Sequence, residues 1–129
     1  MEITFDGQKK ISAHHKGHII RTDQEVSAGG ENTAPAPFDL FLASIGTCAG
    51  IYVKSFCDQR NIPAEGIKII ETIEYDKQKL VPGKIILDIQ LPADFPEKYR
   101  AAVINAAELC AVKRAITDPP EFEVVTTLL

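Results

Sequence analysis

The chain has 129 residues, of which 45% are hydrophobic and 25% charged, with a formal net charge of −4 and a pI near 5.3. That length supports one domain with a real core and is short of two, so residues 1–129 are expected to fold as a single domain. The acidic balance argues against a nucleic-acid partner. The opening MEITFDGQKK lacks the apolar core of a signal peptide, and three cysteines are too few for a disulfide scaffold, so a cytoplasmic location is expected.

In chain order, Ile3-Thr4-Phe5, Lys10 to His15 and His18 to Thr22 read as strands, separated by the turn signals Asp6-Gly7 and Lys16-Gly17. They predict a three-stranded meander. From Gln24 to Pro37 the string QEVSAGGENTAPAP reads as a loop, since Gly29-Gly30 and Pro35 exclude regular structure. Pro37 suits the first turn of a helix, and that helix runs to Gln59 or Arg60, before Asn61 and Pro63. Between Phe38 and Val53 its only charge is Asp39, so the helix is expected to be enclosed by other structure. Ser44, Gly46, Thr47 and Gly50 dilute its apolar run, which argues against a membrane span. Gly46 and Gly50 share one face with little side chain on it, open to close approach by another backbone.

Ile67 to Tyr75 and Ile85 to Leu91 alternate as two strands, with Glu71 breaking the apolar row of the first and a turn ending in Pro82-Gly83 between them. Asp94 and Glu97 form a capping-box pattern with Pro96 in the first turn of a second helix. Along it Tyr99, Val103, Ala106 and Cys110 share a face, and the helix or a broken continuation reaches Ile116. Asp118-Pro119-Pro120 ends it, and Phe122 to Leu128 alternates as a last strand. The order β-β-β-α-β-β-α-β is an α+β domain around a central buried helix.

Taken singly, Cys48 and Cys110 read as packing, because free cysteine behaves as a small buried hydrophobe. No close ligand pair such as C-x2-C is present, and His14 and His15 face opposite sides of a strand, so no metal site is expected. Cys57 lies about 180° round the helix from Cys48 and reads as packing. Lys9-Lys10 and Lys113-Arg114 read as solvated surface, and Gly29-Gly30 as a flexible turn.

Taken together, the run TAPAPFDLFLASIGTC, the preceding glycine pair and the later ELCAVKRAI resemble the OsmC/Ohr family, the osmotically inducible and organic hydroperoxide resistance proteins. The resemblance runs from about Gly29 to the C-terminus. It implies an OsmC-like fold and an intertwined homodimer whose central helices cross back to back, which the Gly46 and Gly50 face would permit. It also implies a thiol peroxidase, with Cys48 as the peroxidatic thiolate and Cys110 as the resolving thiol. The expected partners are an organic hydroperoxide and an external dithiol reductant, with no cofactor, no nucleic acid and no membrane. By the same resemblance Arg21 is the candidate activating cation and Asp39 the candidate carboxylate, although Asp39 also suits the helix dipole and Glu31 is a further substitute. Where the peroxidases commonly carry a glutamate, this chain has Phe38. The apolar pocket is expected from Phe38, Phe41, Ile45 and Tyr52. The competing account is a dimeric small-molecule or lipid binder of the same fold, without efficient peroxidase activity.

Overall fold

Lys16 and Gly17 both adopt positive φ, 49° and 81°, the geometry of a two-residue hairpin turn whose twist matches the strands it joins. That turn connects β2 (Ile11–His15) to β3 (His18–Thr22), and β1 (Glu2–Phe5) pairs with β2 on the other side. The three form an antiparallel sheet in the order β1-β2-β3, with Ser12 opposite Arg21 and Thr4. The computed structural model describes residues 1–128. By its internal contacts the chain divides into a first unit, Met1–Ser44, and a second that begins at Ile45.

The loop after β3 holds a short 3-10 turn, Val26–Ala28, and α1 then runs from Pro37 to Asp58. By length and composition α1 could cross a bilayer. Instead Ala49, Val53, Phe56 and Cys57 pack with Ile62, Phe95, Val103 and Ala107 into the core of the second unit. The expected full enclosure is not seen: the helix is covered along one stripe, while Ile51 is 67% exposed on another.

β4 (Lys68–Asp76) and β5 (Val81–Gln90) form a two-stranded antiparallel sheet. Ile69, Glu71 and Ile73 make one row of β4, opposite Ile89, Leu87 and Ile85 of β5. Pro82 and Gly83 lie within β5 rather than in the turn. The Asp76 carboxylate accepts the N–H groups of Gln78 and Lys79 and completes the turn earlier, and Pro82 then falls beside a register shift at Glu74/Tyr75, a bulge where its missing donor is tolerated.

The second helix is also remade. Pro96 is extended, without a side-chain cap, and leads into a 3-10 turn at Glu97–Tyr99. The α-helix proper, α2, begins at Arg100 and ends at Glu108, so Asp94 stands too far upstream to cap it, and Glu97 pairs with Arg100 at 3.0 Å instead. α3 spans Ala111–Thr117. The last strand does not form: residues 119–128 are irregular, and Phe122, Val124 and Leu128 are 87%, 94% and 99% exposed. Alternation fixes which face of a strand would be buried but supplies no partner edge, and Pro119-Pro120 withholds two donors from any ladder. The observed order is thus three strands, a long helix, two strands and two short helices, a mixed α+β fold.

Candidate active site

α2 ends and α3 begins at Cys110, whose extended backbone (φ −49°, ψ 119°) makes it the residue that caps α3. Its sulfur accepts the Lys113 N–H at 3.4 Å. The first-turn amides of α3 have no intrahelical acceptors and must find others. Here they turn to two sulfurs: the Val112 and Ala111 N–H groups act on Cys48, and that of Val112 is shared with Cys110. The Cys110 S–H has two acceptors within reach, the Ile45 carbonyl at 3.8 Å and the Cys48 sulfur. Ile45 and Cys48 lie one turn apart on α1, so α1 and the start of α3 bring together two thiols that are remote in the sequence. Both are free, Cys110 buried and Cys48 half-buried.

The electrostatics separate the pair. The Val112 N–H pulls the Cys48 thiol below its ordinary range, against burial, with further help from the Cys110 S–H, the Ala111 N–H and the Arg114 cation. Burial pushes Cys110 up, and proximity to Cys48 adds to this. The same environment therefore favours a thiolate on Cys48 and a proton on Cys110. Cys57 is fully buried in the core and is also pushed up by burial.

Of the other candidates, Arg21, Glu31, Phe38, Asp39 and Phe41 belong to the first unit and Ile45 and Tyr52 to the second. Arg21 is an exposed residue of β3. The Asp39 carboxylate accepts the Ala36 N–H at 3.1 Å, closing the start of α1, and Glu31 is paired with Lys10. Phe38 and Phe41 contact each other with ring centroids 5.4 Å apart. Within the second unit, Ile45 lines a hollow of about 330 Å³ with Ile85, Leu87, Glu108, Lys113 and Ile116. Tyr52 borders a different one, of about 480 Å³, with Phe56, Arg60 and Leu109.

Three contributors carry no signature of their own in the sequence: the amides of Ala111 and Val112, and Arg114. The one signal lies in ELCAVKRAI, where Arg114 stands one helical turn beyond Cys110 and so is more than solvated surface. Within the chain, side chains of β4 neighbour the face shared by Gly46 and Gly50. A Cβ on Gly46 would lie 2.7 Å from Glu71 Oε2, and one on Gly50 would lie 3.8 Å from Ile69.

The sequence model of the OsmC-like protein family matches residues 30–125. The chain belongs to the OsmC-like family. Its fold is shared with solved structures of low sequence identity. One is described as an osmotic stress induced and detoxification response protein from Psychrobacter arcticus 273-4. It is 22% identical, with a TM-score of 0.75 over 88% of this chain and 85% of that one. Another is an organic hydroperoxide resistance protein, OsmC, from Legionella pneumophila, at 17% identity and a TM-score of 0.55 over 89% and 85%. No curated protein matches the chain in sequence. In this OsmC-like chain the family match spans both units and includes both thiols of the site.

Proposed function

We propose that this OsmC-like protein is a thiol-dependent redox protein that reduces organic hydroperoxides, with Cys48 as the attacking thiolate and Cys110 as the resolving thiol. What supports the reading is the seating of both thiols at the start of α3, where Cys110 caps the helix and the Val112 and Ala111 N–H groups favour the Cys48 thiolate while burial keeps the proton on Cys110. The Cys48 thiolate attacks the distal oxygen of the hydroperoxide; the O–O bond breaks, and the alkoxide takes up a proton and leaves as the alcohol. Cys48 is then a sulfenic acid. Cys110 gives up its proton and attacks that sulfur, the S–O bond breaks, water departs, and a disulfide remains. An external dithiol returns both thiols. Activation of Cys48 is assigned to Ala111, Val112 and Arg114; a homodimer in a reducing compartment completes the proposal.

The test is consumption of cumene hydroperoxide with a dithiol present. Wild type should consume it, Cys48→Ser should fall to the uncatalysed rate, and peroxide without reductant should yield an intramolecular Cys48–Cys110 disulfide by mass spectrometry. If wild type does not exceed the uncatalysed rate, or the disulfide never forms, the proposal is lost. A second reading is favoured by Phe38 and by an Asp39 engaged with Ala36: a binder of apolar small molecules in which the thiols do little. Thermal stabilisation by such ligands, undiminished when Cys48 and Cys110 are both serine, is its expected signature.

A further inference from the structure

Glu71 sits in the row of β4 otherwise occupied by Ile69 and Ile73. Its Oε1 is shut off from solvent and has no hydrogen-bond partner among the described residues. Its Oε2 lies in the notch left by Gly46, whose backbone N–H donates to the carboxylate. A buried carboxylate with an unpaired oxygen is costly when ionised, and much less so when neutral. Burial accordingly pushes Glu71 above the usual carboxylate range, with only the Gly46 N–H opposing it.

The notch belongs to the turn of α1 that carries the thiol site. Ile45, next to Gly46, offers the carbonyl that competes for the Cys110 S–H, and Cys48 lies two residues further on. From Ile45 to Gly50 the only titratable group on α1 is Cys48. On β5, Leu87 stands opposite Glu71; Asp88 alternates onto the other face, as Lys68 and Glu74 do on β4, while Lys84 reaches the hollow lined by Ile45 and Leu87. From the helices, Glu108 and Lys113 reach the hollow lined by Ile45 and Leu87, and those two are paired with each other.

We infer that Glu71 is a positioning residue for the thiol pair: its neutral carboxyl, seated in the Gly46 notch, fixes the turn of α1 that presents Ile45 and Cys48 to Cys110, and ionisation loosens that turn. Below the titration of Glu71, Cys48 keeps its place against the α3 amides. Above it, the charged carboxylate draws toward water and Cys48 loses part of the contact that stabilises its thiolate. The inference rests on the thiol pair and not on a peroxide as its oxidant.

The experiment is alkylation of Cys48 by iodoacetamide in the full chain, followed by mass spectrometry across pH, for wild type, Glu71→Gln and Glu71→Ala. Glutamine keeps the shape of the neutral acid and cannot ionise. The rate ratio of Glu71→Gln to wild type should be near one at the acid end of the profile, where Glu71 is neutral, and rise about threefold toward the alkaline end, where it is ionised. Glu71→Ala, with the notch empty, should be slower than both at the acid end. A ratio that stays flat with pH overturns the inference, as does an alanine variant that matches the glutamine one. Should Glu71→Gln fail to fold, Glu71→Met serves as the non-ionising variant, with the same rise expected. Alkylation needs no peroxide, so a failed peroxidase assay leaves this result interpretable.

Discussion

Asp23 is the most heavily satisfied carboxylate in the first unit, and its role is to hold the loop before α1. It is fully buried. It accepts the N–H groups of Gln24 at 2.8 Å, Glu31 at 3.2 Å and Thr33 at 3.0 Å, and the Thr33 hydroxyl at 2.7 Å. The Thr33 N–H and hydroxyl, in that order, outweigh burial and lower its pKa to about 2. A carboxyl depressed on folding gives stability that is complete above its unfolded value, about 3.9, and that is lost as pH falls through the folded value. The first unit should therefore lose stability between about pH 4 and pH 2. Asp23→Asn turns an amide against donors that need an acceptor, so its unfolding midpoint should lie below wild type at pH 7 and converge with it near the acid end of that window. Thermal unfolding followed by circular dichroism at both pH values checks this, and parallel curves would refute it. In the sequence Asp23 looks like any acid at a strand end. Apart from the adjacent Gln24 N–H, its partners arrive from eight to ten residues on, through loop geometry that Gly-Gly and Pro announce without specifying, so nothing local marks it as the surrounding motif marks Cys48.

At the scale of elements, the sequence and the structure part where a partner decides the outcome. The meander, the span of α1 and the β4-β5 hairpin were legible because alternation, turn residues and apolar periodicity are local. The break at Cys110 was less so. The stripe of Tyr99, Val103, Ala106 and Cys110 continues smoothly through it, and nothing in the periodicity shows that Cys110 leaves helical geometry to cap α3. Capping is what lets one residue both bury its thiol and aim the α3 amides at Cys48. A serine hydroxyl can accept the Lys113 N–H and donate to the Ile45 carbonyl, whereas alanine can do neither. Cys110→Ala should therefore cost about 1 kcal/mol more than Cys110→Ser, the usual worth of an N-cap. Urea unfolding of the two variants measures the difference, and equal midpoints would remove the capping role. In the serine variant Cys48 should keep its Ala111 and Val112 contacts, so its reactivity toward alkylating agents should fall less than in the alanine variant.

At the scale of the whole molecule, several large apolar side chains stand exposed among the described residues. On α1, Ile51 is 67% exposed, in a stripe opposite the one formed by Ala49, Val53 and Phe56. The tail adds Phe122, Val124 and Leu128, nearly bare. An exposed isoleucine on the helix that also carries Cys48 is well placed for the homodimer proposed above. We propose that the contact surface includes the Ile51 side of α1. An aspartate at position 51 would bury a charge in that contact without a partner, a cost expected to exceed about 2 kcal/mol, or roughly thirtyfold in association. Sedimentation velocity at micromolar concentration should show wild type as a dimer and Ile51→Asp as a monomer. Because mass action ties stability to association, the wild-type unfolding midpoint should also rise with protein concentration and that of the variant should not. A monomeric wild type, or a dimer that Ile51→Asp leaves intact, would mean that the stripe is covered in some other way.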